Sequence, residues 1–536
     1  MAVSKAIREE EGIIFAPTAF VDHNDRKAGS HQTIIASRVH SVPVPVEIAL
    51  CLQDNTDDDI LARFRELPSA SAKTESINEI AQVYLRNTGI LLRYRCLIVL
   101  AKLISVLNDD HAGGGAPHHV YAHLGEVFGT YPSDAVGLVT LLRAEAANQL
   151  RALIESKLTH RVLISSLQIT KSLVRLGLPV RLDLGMGGVS DIPPYCFEHH
   201  GTCVNVPVLL NGQHPISVTA QTISQPYFHL VSKDLGVELV VTDWSALGRP
   251  PRPLRFHCAV LSYFRAQVPD FDTFEHVYAR LGTGIRIETD SRLPPGTGLG
   301  VSSLLSSGVL GVLTTMFGFP LNSSDLVSAS VYLEWATGIG GGWEDATALV
   351  PGVKFLETTP ERPFSPCATP VNLDDAGLRR LQEHLLLINT GVVRQDDSFI
   401  SDLMDRYCLR DPDTLRCVGQ ITELNRRLPA HLEACDLEAI GQTMSEQWRD
   451  WRRCSNDRCT NAIINELFSE LEPFVHGVRM NGIGQGGCAM LILRQAAYRA
   501  HVQQIVHAVL GPSALWYDWQ PVLRGGSGAI ECGQRA

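Results

Sequence analysis

Between Leu293 and Leu313 the chain reads LPPGTGLGVSSLLSSGVLGVL, with Gly296, Gly298 and Gly300 alternating ahead of Ser302, Ser303 and an aliphatic run. Alternating glycines let successive backbone N–H groups turn toward one point with no Cβ in the way. The run after Ser303 predicts a helix, whose first-turn N–H groups and positive dipole end face that same point. Together they describe an anion seat, most naturally one for nucleotide phosphates. A tight strand-to-helix turn with capping serines gives the same letters. The loop lacks the Gly-Lys-Ser/Thr ending of a Walker A sequence, and it is not GxGxxG.

The stretch from Pro294 to Ser303 resembles the phosphate-binding motif of the GHMP sugar and metabolite kinases, Pro-x-Gly-x-Gly-Leu-Gly-x-Ser-Ser. PVRLDLGMGGVSDIPPY, from Pro179 to Tyr195, resembles that family's N-terminal substrate motif, and NGIGQGGCAMLIL, from Asn481 to Leu493, its C-terminal glycine motif. GIGGGWEDATALVPGVKF, from Gly338 to Phe355, is similar to the Gly-Gly-Gly-Trp-Gln-Asp and Pro-Gly-Ile-Lys segments of the L-fucose kinases. A strand in that subfamily is echoed by EHLLLINTG. The resemblance covers roughly residues 175 to 525 and keeps its motifs in order.

That resemblance implies an α+β, two-lobed fold, with a ribosomal-protein-S5-like N-terminal lobe and a ferredoxin-like C-terminal lobe. It implies ATP-dependent phosphorylation of the anomeric hydroxyl of L-fucose or a related sugar, as in GDP-fucose salvage. Pro295, Gly296, Gly298, Leu299, Gly300, Ser302 and Ser303 would then hold the nucleotide, with Gly484 and Gly486 approaching from the other lobe. Ser303 and Glu334 would bind Mg²⁺, which prefers oxygen ligands and keeps several waters. Asp345 would be the general base, or else the carboxylate that orients and polarises the sugar hydroxyl, and Arg181 the cation that keeps it ionised and steadies the transferring phosphoryl group. Asp191, with Gly188 and Gly342, would bind the sugar, because a carboxylate accepts hydrogen bonds from a pair of vicinal hydroxyls. Asp183 reads as a structural acceptor and Trp343 as a packing residue.

Several positions depart from the fucose-kinase pattern. The substrate motif carries one extra residue, Val189 stands where the family has tryptophan, ATALV follows Asp345 without glycines, and Gln485 and Cys488 replace Gly and Phe. A heptose-phosphate kinase shares the Gly-Gly-x-x-Asp-x-Pro-Pro turn, but the sequence around Asp191 offers His199 and His200 and no Lys or Arg for an acceptor phosphate. A non-catalytic sugar or nucleotide sensor on the same fold is a further alternative.

These residues need elements to hold them. Residues 1–165 read as mainly helical, with SINEIAQVYLRNTGILLRYRCLIVLAKLISVL and DAVGLVTLLRAEAANQLRALIESKL spaced for packing helices and NDDHAGGGAPHH as the loop between them. The resemblance puts a sugar-nucleotide pyrophosphorylase before the kinase in several relatives. Here the leading segment is too short for one and is expected to be a connector or a remnant. Residues 175–365 are expected to form the first lobe, from short strands such as PVRLDLGMGG, GVELVVTDW and IRIETDSRLP. Residues 366–536 are expected to form the second, alternating LRRLQEHL and INELFSELEPFVHGV as helices with LLLINTG and AMLILR as strands.

The 536 residues carry a formal charge of -11, which argues against a general nucleic-acid binder, since phosphate backbones are held by clustered Lys and Arg. Thirteen cysteines without a CxxC framework, a charged N-terminal stretch and no apolar window long enough to span a bilayer point to a cytoplasmic protein with reduced thiols and no membrane partner. Cys454 and Cys459, in CSNDRC, lack the companions a zinc site needs.

Overall fold

The structure, a computed structural model, describes residues 59–110, 134–157, 168–267, 273–337, 340–361, 366–394, 399–523 and 530–533, with Leu52 and Leu124. The N-terminal stretch before Leu52 and most of the NDDHAGGGAPHH loop lie outside the described residues. Two compact units divide the chain: Met1–Leu153 with Met404–Leu415, and Ile154–Leu403 with Arg416–Ala536.

The first unit is helical. α1 (Ile60–Arg65) and α2 (Ala70–Arg86) begin at Asp59 and Ser69, whose side chains accept from the N–H groups of Ala62 at 2.9 Å and Ala72 at 3.1 Å. Each cap satisfies a first-turn donor that has no partner within its helix. α2 buries Ile77, Ile80, Ala81 and Tyr84, a stripe at i, i+3, i+4 and i+7, and packs against α3 (Ile90–Asp110). α4 (Ala135–Lys157) follows. Arg143 grips Asp405 through two hydrogen bonds of 3.1 and 2.6 Å, which ties the segment Met404–Leu415 into this unit.

The second unit contains three sheets. Its strands are β1 (Leu173–Leu178), β2 (Val180–Gly185), β3 (Thr202–Leu210), β4 (Ile216–Ile223), β5 (Phe228–Ser232), β6 (Val237–Val241), β7 (Gly284–Ser291), β8 (Lys354–Glu357), β9 (Cys367–Pro370), β10 (Leu385–Asn389), β11 (Val475–Met480), β12 (Cys488–Leu493), β13 (Leu515–Tyr517), β14 (Trp519–Pro521) and β15 (Ile530–Gly533). The first sheet runs β15-β1-β4-β7-β5-β6, antiparallel except for the pair β5 and β7. The second runs β14-β3-β8-β9 with β2 also on β3, and the third runs β11-β12-β10-β13.

The helices that matter to the cleft are α5 (Arg255–Gln267), α6 (Val301–Met316), α7 (Ser323–Ala336), α8 (Asp375–His384), α9 (Phe399–Cys408), α10 (Pro412–Glu433), α11 (Leu437–Cys454) and α12 (Ala462–Leu471). α6 packs on β1 and β4. The approach is close: a Cβ on Gly308 would lie 2.6 Å from Val218 and 2.8 Å from Leu178, so only glycine fits there. α6 is apolar nearly all round and correspondingly buried, because α5 and α7 cover its other side. α11 lies along β11, and Ile440, Met444, Met490 and Ile492 share its core.

One expected element divides. INELFSELEPFVHGV is helical only to Leu471; a short turn, Glu472–Phe474, leads into β11. Pro473 has no N–H to continue the helix, and the apolar residues beyond it suit a strand.

Candidate active site

β2 brings the first charges. Arg181 and Asp183 are two residues apart on the strand, so they share a face, and both are buried, at 3% and 1% exposure. Arg181 Nε donates to Asp345 Oδ1 at 2.9 Å, and Nη2 donates to the same oxygen. Nη1 donates to the Gly298 carbonyl at 3.1 Å and lies 2.7 Å from Asp183 Oδ1. Burial opposes the Arg181 charge, but Asp183, Asp345 and Glu344 outweigh it and hold the guanidinium above its ordinary range.

Asp345 opens a short 3-10 turn, Asp345–Leu349, immediately after the glycine turn Gly340–Gly342. Trp335 Nε1 donates to the Gly341 carbonyl at 2.9 Å and fixes that turn. Trp343 is fully buried and packs, as its sequence context suggested.

The glycine loop meets α6 as expected from its letters. Gly296, Gly298 and Gly300 have φ of 81°, 74° and 79°, in the left-handed region, and Gly300 caps α6 without a side chain. The first-turn N–H groups of α6 are therefore left for an outside acceptor. The far lobe steadies the loop: Asn481 Nδ2 donates to the Gly298 carbonyl at 2.6 Å, and the Cys488 N–H donates to the Thr297 carbonyl at 2.9 Å. A Cβ on Gly298 would sit 2.2 Å from the Asn481 carbonyl oxygen. Leu299 and Pro295 differ from the expectation. Leu299 is buried in the core, because its apolar side chain turns inward, and Pro295 is exposed beside the turn.

Ser303 Oγ donates to Glu334 Oε1 at 2.5 Å and lies 3.5 Å from Asp345 Oδ2. Glu334 projects from α7; burial, then the charge of Asp345, push its carboxyl up to about 8. A buried carboxyl beside a hydroxyl and a second carboxylate is an all-oxygen donor set of the kind Mg²⁺ takes. Among the described residues no three His, Cys, Asp or Glu side chains converge as metal ligands, so such an ion would complete its shell with water and phosphate oxygens.

Asp191 faces this pair across the glycine turn. Its Oδ2 accepts from the Glu344 N–H at 3.3 Å, and a Cβ on Gly342 would lie 2.1 Å from it. Burial and then the charge of Asp345 push the Asp191 carboxyl up to about 7. Gly188, with φ of 64°, turns the chain beside it, and the peptide Pro193–Pro194 is cis.

These groups line one cleft of about 480 Å³. Arg181, Gly188, Asp191, Gly296, Gly298, Gly300, Ser302, Glu334, Gly342 and Asp345 all border it, while Ser303 lies just beneath. From the last glycine motif, Gly482 and Ile483 border the cleft. Gly484 and Gly486 instead sit against protein backbone: a Cβ on either would lie 2.4 Å from the Cys459 carbonyl or 2.2 Å from that of Val392. Their smallness serves packing of the loop.

Other residues at the cleft carry no motif. Arg252 comes from the 3-10 turn Arg252–Leu254, Arg255 from the start of α5, Arg394 from the segment after β10, Ser401 from α9 and Trp451 from α11. Glu344 borders the cleft beside the expected Asp345. Behind β2, a buried polar chain fixes the backbone at Met186, ahead of the Gly188 turn. Asn425 Nδ2 donates to the Met186 carbonyl at 2.8 Å, Gln447 Nε2 to Asn425 Oδ1 at 2.8 Å, and Arg479 Nη1 to Gln447 Oε1 at 2.6 Å. Arg479 Nη2 closes the chain on the Asp183 carbonyl. Polar side chains at buried positions of α10 and α11 were the available signal for it.

Residues 269–352 match the family of GHMP kinases N terminal domain. The bifunctional fucokinase/GDP-fucose pyrophosphorylase of Arabidopsis thaliana is 28% identical over 349 residues, 64% of this chain and 32% of that protein. The L-fucokinase/L-fucose-1-P guanylyltransferase of Bacteroides fragilis is 24% identical over 347 residues, 61% of this chain and 35% of that protein. The chain thus spans about a third of the length of these curated relatives. In fold it is similar to Lactococcus lactis galactokinase in complex with galactose, at a TM-score of 0.51 and 16% identity, over 71% of this chain and 99% of that one. The α+β expectation agrees with this likeness, and no described helix is long and apolar enough to cross a membrane. By its N-terminal-domain match and its fucokinase relatives, the chain is similar to the GHMP kinases.

Proposed function

We propose that this protein is an ATP-dependent sugar kinase that phosphorylates the anomeric hydroxyl of L-fucose or a related sugar. The observation that carries this reading is the meeting, in one cleft, of the Arg181–Asp345 pair with the Gly298 carbonyl, the Ser303–Glu334 pair and Asp191.

In this reading the N–H groups of the glycine loop and of the first turn of α6 bind the ATP phosphates. Ser303 and Glu334 hold Mg²⁺, which supplies neutralising charge to the phosphates when bound. Asp191 accepts from sugar hydroxyls and orients the acceptor. The anomeric oxygen attacks the γ-phosphorus, its proton passes to the Asp345 carboxylate, and the bond from the γ-phosphorus to the bridging oxygen breaks to release ADP. Arg181 orients Asp345 through the bonds from Nε and Nη2, so it can take that proton. The chemistry asks for little more than alignment and charge stabilisation.

A coupled ADP-release assay with free hexoses and 6-deoxyhexoses tests this. Turnover of a 6-deoxyhexose to its 1-phosphate is expected. ATP binding without turnover of any sugar would leave a sensor instead. A second reading draws on the arginines at the cleft: Arg252, Arg255 and Arg394 bring it positive charge, which a phosphorylated heptose acceptor needs as a nucleotide phosphate does. Including heptose phosphates in the panel separates the two kinases.

A further inference from the structure

The 3-10 turn Asp345–Leu349 reaches two parts of the cleft at once. Just ahead of it, the Glu344 N–H donates to Asp191 Oδ2 at 3.3 Å, and Glu344 Oε2 accepts from the Gly187 N–H at 2.9 Å. At its first residue, Asp345 takes two donors of Arg181, and a Cβ on Gly300 would lie 3.2 Å from the Asp345 Cβ. A shift of this turn therefore moves the Asp345 carboxylate and the backbone partner of Asp191 together.

The backbone of the turn restrains it little. Its own bonds run from the Thr347 N–H to the Glu344 carbonyl and from the Val350 N–H to the Thr347 carbonyl, each at 3.0 Å. Bonds of this i to i+3 kind have poorer geometry than those of an α-helix. In DATALV the one polar side chain after Asp345 is Thr347, and it is fully buried. Its Oγ1 donates to the Glu344 carbonyl at 2.5 Å and accepts from Asn205 Nδ2 at 2.8 Å. Asn205 is fully buried too, on β3 directly opposite Asp183 of β2 and Lys354 of β8. Residues opposite one another on paired strands share a face, and β2 and β3 pack against the turn. A hydroxyl that both donates and accepts thus ties a loose turn to a strand in mid-sheet. Beyond Thr347, Asn205 Nδ2 has only the Cys203 sulfur, at 3.8 Å, so losing the tie leaves a buried N–H without an oxygen acceptor.

We propose that Thr347 and Asn205 are positioning residues: they hold the turn where Asp345 meets Arg181 and the Glu344 N–H meets Asp191. Neither residue borders the cleft, so both act through the turn. The glycine loop is held separately, by Asn481 Nδ2 on the Gly298 carbonyl at 2.6 Å. The fixing of the turn is a property of the fold, and its effect on turnover rests on the kinase reading.

Thr347→Val keeps the shape of the side chain and removes the hydroxyl. In ADP release by the full chain, kcat is expected to fall by up to about a hundredfold, as displacement of a reacting group does. The KM for the sugar should rise, while nucleotide affinity stays at the wild-type value because Asn481 still holds the glycine loop. Thr347→Ser restores the hydroxyl and should recover most of the rate, and Asn205→Ala should show the same split as Thr347→Val. Hydrogen exchange at the Thr347 and Val350 amides should quicken in Thr347→Val, with the amides of α6 unchanged. A Thr347→Val kcat equal to wild type, a loss that Thr347→Ser shares in full, or failure of both Thr347→Val and Asn205→Ala to fold overturns the proposal. So does nucleotide affinity lost in step with kcat, which a general loosening of the fold would give. A wild type that turns over no sugar overturns the kinase reading instead. Exchange that quickens only in the turn then keeps this inference, and unchanged exchange overturns it.

Discussion

Arg181 joins Asp345 to the glycine loop: its Nε donates to Asp345 Oδ1 at 2.9 Å while its Nη1 donates to the Gly298 carbonyl at 3.1 Å. A planar guanidinium spans both partners at once, which a lysine ammonium on a flexible stem does not. Asp345→Asn keeps the shape but removes the proton acceptor, so turnover should fall roughly 10²- to 10⁴-fold with nucleotide affinity little changed. Steady-state ADP release beside nucleotide titration measures both. A loss of less than about tenfold, ~1.4 kcal/mol of barrier, would remove Asp345 from the base role. Arg181→Lys should lower turnover as well, because one donor cannot serve both the carboxylate and the loop.

The glycine loop depends on contact with the distant segment around Asn481. Gly298 has φ of 74°, and a Cβ there would lie 2.2 Å from the Asn481 carbonyl oxygen. Gly298→Ala is expected to cost about 1–3 kcal/mol in the loop and to weaken nucleotide binding by tenfold or more. Asn481→Ala removes the bonds to the Gly298 carbonyl and to the Asp183 N–H, for about 1–3 kcal/mol, and should also weaken binding while leaving the loop backbone unstrained. Fluorescent-nucleotide titration and thermal unfolding report the two effects. Unchanged affinity in both variants would mean the loop does not carry the nucleotide.

Legibility in the sequence followed contiguity. The glycine loop, Arg181, Asp191, Glu334 and Asp345 each lie in a short segment whose residue types announce themselves, and the structure brings these segments to one cleft. What stayed hidden depends on partners from distant segments. Glu344 reads as one more acidic residue until the Gly187 N–H arrives against it, and Arg252, Arg255 and Arg394 come from stretches with no motif. The Asn425–Gln447–Arg479 chain is spread over two helices and a strand. Gly484 and Gly486 misled for a related reason: a glycine needed for approach to the Cys459 or Val392 carbonyl has the same letter as one needed for a phosphate. The helix extended past Leu471 because apolar spacing outvoted Pro473.

In the proposed kinase reading, Asp191 should make acceptor binding depend on pH. Burial and the Asp345 charge push its carboxyl up to about 7, so the free protein carries it half protonated near neutrality. A carboxylate accepts from two hydroxyls, and a protonated acid gives up part of that capacity. Acceptor affinity should therefore fall as pH drops below about 7, approaching tenfold per unit, and Asp191→Asn should bind weakly but without that dependence. The sign for stability is the reverse. Between the ordinary value of 3.8 and about 7 the folded chain holds the Asp191 proton more tightly than the unfolded chain, so this group lowers stability as pH rises through that window. Isothermal titration of the acceptor at several pH values decides the first point, and a pH-independent affinity removes Asp191 from the acceptor site.

Arg252 and Arg255 discriminate between the two kinase readings. Both border the cleft, Arg252 in the turn Arg252–Leu254 and Arg255 at the start of α5, and Arg255 is close enough to Glu334 to favour its ionised form, which puts it toward the Ser303–Glu334 side. Glu334 neighbours the phosphate loop through Ser303, whereas Asp191 marks the other side of Asp345. Arginines on that side are suited to nucleotide phosphates, through charge-assisted hydrogen bonds of about 1.5–3 kcal/mol each. The double variant Arg252→Ala/Arg255→Ala should raise the KM for ATP roughly tenfold or more and leave the KM for a free sugar nearly unchanged. A rise confined to phosphorylated acceptors would assign the arginines to the acceptor and favour the heptose-phosphate reading. Steady-state kinetics with each substrate varied in turn separates these outcomes, because a charge lost at the nucleotide is felt whatever sugar is bound.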